Sequence, residues 1–192
     1  MMRIITGKAR GVKLKTLEGL DTRPTSERTK EAVFSMLQFD IVGKRVLDAF
    51  AGSGQMGLEA LSRGATSAVF VDRSKQAVDI IRQNTELTRL NSMSKIFCCE
   101  LEDYLKRSVG KNIFDIVFLD PPYASDLVLN ALKGLTIYNA LAKSAIVVCE
   151  SGVDFDVLSD GGCAAFVTGK FDVVKKAQYG AAYITVLKFM EG

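Results

Sequence analysis

From residue 45 onward, short apolar runs alternate with stretches of helical periodicity, and this constrains the fold more than any other feature of the chain. "RVLDAF" is followed by "QMGLEALSR", "SAVFVD" by "SKQAVDIIRQNTELTRL", and "KIFCCE" by "LEDYLKR"; "IFDIVFLD", "SDLVLNALKGL" and "SAIVVCES" come next. In "IFDIVFLD", Ile116, Val117, Phe118 and Leu119 do not alternate with polar residues, so the run reads as a strand covered on both faces. Repeated units of this kind predict an α/β fold, a mostly parallel sheet with helices on both sides. Two last runs, "FDVVKKAQYG" and "AYITVLKFM", meet around Gly180 and predict an antiparallel hairpin at the end of the sheet. Ligands of such sheets bind at the carboxyl ends of the strands.

The first 24 residues have a different pattern: "RIIT" and "VKLKT" flank a turn from Gly7 to Gly11 and predict a β-hairpin or extended arm. A helix is predicted from Ser26 to Leu37, with Thr25 as N-cap and Val33, Phe34 and Leu37 as its apolar face. This divides the chain into an arm and helix, residues 1–38, and a main body, residues 39–192. Charge follows the same division. Residues 1–30 hold eight Lys or Arg against three acids, a local +5, whereas the whole chain carries only +3. A basic arm on a near-neutral body points to a polyanionic partner, with a merely solvated arm as the alternative.

At 192 residues and 48% hydrophobic, the chain can bury a sizeable core. No apolar run approaches the roughly 18 residues that span a bilayer, and "MMRIITGKARG" lacks the apolar stretch of a secretory leader. A soluble, cytoplasmic protein without membrane partners is expected. Cys98, Cys99, Cys149 and Cys163 form no CxxC pair and read as small buried residues, so neither a disulfide nor a metal site is expected. The chain has no histidine, which excludes Ser-His and Cys-His catalysis.

Three strand ends carry the chemistry. "LDAFAGSGQMG" places Gly52, Gly54 and Gly57 between a strand and a helix, where glycine allows tight turning and close approach of a ligand. Asp72 ends the next strand, at the position where a carboxylate can accept both hydroxyls of a ribose. Asp48 ends the strand before the glycine loop and would repel a pyrophosphate there. It suits the sulfonium and ammonium groups of S-adenosylmethionine instead, or else simply bonds loop amides. "FLDPPY" ends a third strand with Asp120, Pro121, Pro122 and Tyr123; proline alone would explain a strand stop.

Together "DAFAGSG", "FVD" and "DPPY" resemble the class I S-adenosylmethionine-dependent methyltransferases that modify amines. The opening "RIITGKARGVKL" with "RPTSERTKEAVFSML" is similar to the N-terminus of the RsmD-type 16S ribosomal RNA (guanine-N2)-methyltransferases, and the similarity runs from Arg3 to the closing hairpin. The resemblance implies a Rossmann-like sheet of seven strands with the last one antiparallel. It also implies S-adenosyl-L-methionine as cofactor, 16S rRNA or the small ribosomal subunit as partner, and a monomer. Carried over residue by residue, it places Asp48 and the Gly52, Ser53, Gly54 loop beside the methionine part, Asp72 at the ribose, and Glu100 with Leu101 near the adenine, with Phe50 and Arg73 as further cofactor-binding candidates. Glu100 stands where the family usually has a small polar or acidic residue.

On this reading "DPPY" is an amine clamp. The lone pair of an exocyclic nucleobase amine is delocalised into the ring, and two acceptors for its protons draw it toward the donor methyl. Asp120 supplies a carboxylate and Pro121 a carbonyl held rigid by Pro122, while Tyr123 offers a face for stacking a flipped base. No metal is required. Arg10, Lys13, Arg23, Arg28 and Lys30 are candidates for RNA phosphate contacts; Arg23 or Arg28 could equally pair with an acid and pin the arm. Rival readings are an adenine-N6 DNA methyltransferase, for whose target-recognition segment the chain has no room, and a protein glutamine methyltransferase, whose motif more typically begins with asparagine. A ribosome-assembly factor that binds RNA without turnover is the non-enzymatic rival.

Overall fold

The computed structural model describes residues 2–17, 27–121, 125–152 and 169–190. Helix α1 (Glu27–Met36) precedes the alternating body: β1 (Arg45–Asp48), α2 (Gln55–Ser62), β2 (Ser67–Asp72), α3 (Lys75–Leu87), β3 (Ser94–Cys98), α4 (Leu101–Arg107), β4 (Phe114–Leu119), α5 (Ser125–Ile137) and β5 (Leu141–Ser151). Strands β6 (Phe171–Tyr179) and β7 (Ala182–Phe189) follow. They form one seven-stranded sheet in the order β3-β2-β1-β4-β5-β7-β6. Neighbours from β3 to β5 are parallel, and β7 runs antiparallel to both β5 and β6. The fold is the expected Rossmann-like class I methyltransferase architecture, closed by the hairpin around Gly180.

Successive strand residues supply opposite cores, as the period of two requires. Val46, Ile116 and Phe118 pack with α1, α2 and α3; Leu47, Val117 and Leu119 pack with α4 and α5. The edge is handled differently. The pairing of β6 with β7 slips between Val173 and Lys175, a bulge that leaves Val174 exposed.

The N-terminal arm is a hairpin, with Arg3 bridged antiparallel to Lys13 and Ile4, Gly11, Val12 and Leu14 bonded across it. It packs over α2, and Ile4, Ala9 and Leu14 join the same core as Val33, Phe34 and Leu37 of the α1 region. This corrects one expectation. The periodicity of "QMGLEALSR" suggests one wet face, yet every residue of α2 is buried because the hairpin covers the outer side. The predicted cap Thr25 lies outside the described residues. The cysteine reading is also amended: Cys149 is buried, but Cys98 ends the edge strand β3 and is exposed, with Cys99 half-buried; Cys163 lies outside the described residues. No helix among the described residues is long and apolar enough to cross a membrane.

Candidate active site

The strand order reverses direction between β1 and β4, which opens a crevice at their carboxyl ends. Register aligns the ends: Asp48 lies opposite Phe70 of β2 and Phe118 of β4, so Asp48, Asp72 and Asp120 come to one edge of the sheet.

The loop from β1 to α2 owes its shape to glycine and to these acids. Gly52 and Gly54 have φ of +53° and +77°, in the left-handed region. Asp72 accepts the Gly52 N–H at 2.9 Å through Oδ2 and the Ser74 N–H at 2.8 Å through Oδ1, tying the loop to the start of α3. Each oxygen keeps a lone pair for a further donor. Open space lies where a Gly52 side chain would project, leaving room for a ligand against the backbone. Gly57 has another reason to be glycine: a Cβ there would come within 2.4 Å of the Phe70 ring, so it permits close packing of α2 on β2.

Asp48 is buried, and its Oδ2 accepts the Gly57 N–H at 2.9 Å. Burial pushes its pKa up to about 8; the Gly57 bond opposes this, while the charges of Asp120 and Asp72 add to it. Burial thus favours the protonated carboxyl, and a positive group placed beside it would favour the ionised one. The role of bonding loop amides and that of facing a cation are compatible, because one oxygen serves the first and leaves the other.

The remaining candidates separate. Phe50 packs half-buried against the core beneath the crevice. Ser53 is buried, and its Oγ lies 3.1 Å from Met2 Sδ. Arg73 and Glu100 face each other at 3.6 Å as an exposed ion pair next to buried Leu101. Asp120 is exposed and Pro121 buried; Pro122 and Tyr123 lie outside the described residues, as does Arg23. Arg10, Lys13 and Arg28 are exposed.

Lys30 is not a surface cation, which corrects its assignment to phosphate. It is fully buried, donates to the Arg3 carbonyl at 2.6 Å and faces Glu59 at 3.8 Å. Burial lowers its pKa, with the Glu59 charge opposing. Glu59, absent from the sequence expectations, organises the hairpin: it accepts the Ile5 and Thr6 N–H groups at 2.7 and 3.0 Å and Arg63 Nε at 2.8 Å. Beside it Ser62 donates to the Thr6 carbonyl and accepts from Ala9. Gly7 sits so close that a Cβ would fall 1.8 Å from the Ser62 carbonyl oxygen. A cleft of about 660 Å³ adjoins this contact, between Thr6, Lys8, Gln38 and Arg63. It lies at the far end of α2 from the acids.

A family model described as "Conserved hypothetical protein 95" matches residues 2–188, nearly the whole chain. The chain belongs to this family, the RsmD family of methyltransferases. "Putative rRNA methyltransferase YlbH" of Bacillus subtilis (strain 168) is 32% identical over 97% of this chain and 98% of its own length. "Ribosomal RNA small subunit methyltransferase D" of Haemophilus influenzae is 36% identical over 80% of each chain. Among solved structures, "Putative methyltransferase yhhF from Escherichia coli" superposes with a TM-score of 0.84 at 28% identity, covering 100% of this chain and 99% of that one. The superposition on the Escherichia coli structure takes in the N-terminal hairpin of this chain as well as its sheet.

Proposed function

We propose that this methyltransferase transfers a methyl group from S-adenosyl-L-methionine to the exocyclic N2 amine of a guanine in 16S rRNA, presented by the small ribosomal subunit. The observation that carries the reading is the gathering of Asp48, Asp72 and Asp120 at the crevice, around a glycine loop with open space in front of it. Acids stacked this closely suit a cationic ligand and disfavour a pyrophosphate. The relatives named as ribosomal RNA methyltransferases support the RNA class of substrate; the choice of amine rests on the resemblance carried by "DPPY" and the N-terminal segment.

The residues present fit such a cofactor. Asp72 has a free lone pair on each oxygen for the ribose hydroxyls, and the buried Asp48 carboxyl would face the positive end of the methionine part. When bound, the sulfonium supplies an activated methyl group. Asp120 and the Pro121 carbonyl accept the amine protons, orient its lone pair and hold a place for the proton released after transfer. Exposed Arg10, Lys13 and Arg28 offer RNA phosphate contacts, positioning without base readout.

The deciding experiment is mass spectrometry of 16S rRNA nucleosides from cells with and without the gene, followed by restoration in vitro with purified protein and S-adenosylmethionine. Loss and restoration of N2-methylguanosine are expected. A change confined to N6-methyladenosine would overturn the choice of base.

A further inference from the structure

Asn84 lies on the stripe of α3 that carries Ala77, Val78 and Ile81, and it is fully buried. A carboxamide in such a place must find partners for its oxygen and its two N–H bonds. Its Oδ1 accepts the Lys15 N–H at 2.8 Å, and Nδ2 donates to the Lys15 carbonyl at 3.0 Å. This pair of bonds treats the side chain as a neighbouring strand for the outgoing limb of the hairpin. The other N–H of Nδ2 reaches the Ser53 carbonyl at 2.9 Å, in the glycine loop between Gly52 and Gly54. The incoming limb makes its own contact there, through Met2 Sδ and Ser53 Oγ at 3.1 Å, and Leu14 N–H bonds back to the Met2 carbonyl.

We propose that Asn84 is a positioning residue that couples the basic hairpin to the cofactor loop, so that RNA binding and cofactor binding strengthen each other. The inference rests on the function proposed above, which assigns a ligand to each segment. One carboxamide bonds both, so a hairpin displaced from its seat takes Lys15 from Asn84 and frees the side chain that holds Ser53. A ligand that fixes the loop fixes the hairpin in turn, and such coupling is reciprocal. Asparagine is the residue type the geometry demands. Aspartate has the same shape, but it would turn an oxygen toward the two carbonyls of Lys15 and Ser53.

The test uses the full chain with S-adenosylhomocysteine and transcribed 16S rRNA as probes. In the natural protein, saturating S-adenosylhomocysteine should tighten RNA binding by about fivefold or more, the lower range of measured couplings. In Asn84→Asp that ratio should fall to about one. Hydrogen exchange gives a readout that needs no variant: S-adenosylhomocysteine should slow exchange of the Lys15 amide in the natural protein. Binding of S-adenosylhomocysteine with no change at Lys15, or a linkage retained in Asn84→Asp, overturns the coupling and leaves the cofactor site standing. Failure of S-adenosylhomocysteine to bind the natural protein overturns the cofactor reading, and the coupling with it.

Discussion

Glu59 and Asp48 are both buried acids, and their surroundings are opposite. Glu59, under the hairpin, meets two backbone N–H groups, a guanidinium and an ammonium. Asp48, at the crevice, meets one backbone N–H, with two further acids near enough to raise its pKa. The first is a completed charge, whose partners all come from the chain. The second is electrostatically incomplete, and a cation is the kind of group that completes it. Buried acids thus serve two ends within one small body: in one region the group fastens a segment, in the other it suits a ligand.

Removing Glu59 should give the largest effect. Glu59→Ala leaves the Lys30 ammonium buried without its carboxylate and frees the Ile5 and Thr6 amides, a loss of about 3–5 kcal/mol typical of a broken buried pair. Urea unfolding measures it, and Glu59→Gln with Lys30→Met should recover much of the loss, because no fully buried charge is then left unpaired: Arg63 loses its carboxylate but is partly exposed and keeps its bond to the Thr6 hydroxyl. A small effect of Glu59→Ala would mean that the hairpin is seated by its apolar residues alone.

Asp72→Ala should act on the ligand. It removes a carboxylate from Gly52, Ser74 and the proposed ribose contact, each charge-assisted bond being worth roughly 1.5–3 kcal/mol. Cofactor affinity by calorimetry should fall at least about tenfold. An unchanged dissociation constant would remove the ribose assignment.

Asp48→Asn should change the response to pH. Because the folded chain holds this proton up to about 8, against an ordinary value of 3.8, the unfolded chain releases it first. Asp48 therefore makes stability decline as pH rises between about 4 and 8. The carboxamide of the variant would keep the bond to Gly57 and flatten that decline in melting temperature, while weakening cofactor binding. Binding of S-adenosylmethionine to the natural protein at pH 7 should release a proton, detectable by calorimetry in buffers of different ionisation enthalpy. No proton release would show that Asp48 does not face the positive group.

The smallest effect is expected at the surface. Arg10→Glu with Lys13→Glu should weaken RNA binding and flatten the slope of log affinity against log salt by about 1.4–1.8 if both residues contact phosphate. Cofactor affinity in the absence of RNA should stay constant. An unchanged slope would assign these residues to the hairpin's own structure.

The sheet and its closing hairpin were legible because burial on both faces produces apolar runs with no alternation. The acids of the crevice were legible because each ends such a run. The hairpin's seat was not. Glu59 stands among Leu58, Ala60 and Leu61, and a pattern of apolar positions cannot announce that a second layer will cover the helix. Lys30 did leave a signal: it precedes Val33 and Phe34 by three and four residues, hence shares their face of α1. The net charge of the arm carries no such information, since a buried cation adds to it as much as an exposed one. Asn84 left a similar trace, a polar residue on the apolar stripe of α3.

The bulge at Val174 has a consequence beyond the hairpin that contains it. An outermost strand offers a row of unpaired backbone groups to any extended chain, and a flat, regular row recruits copies of itself. Here the extra residue breaks the row near its middle, and Lys175 and Lys176 follow the break with positive charge. On this side the sheet therefore ends in a strand that offers another copy of the chain no continuous row to extend.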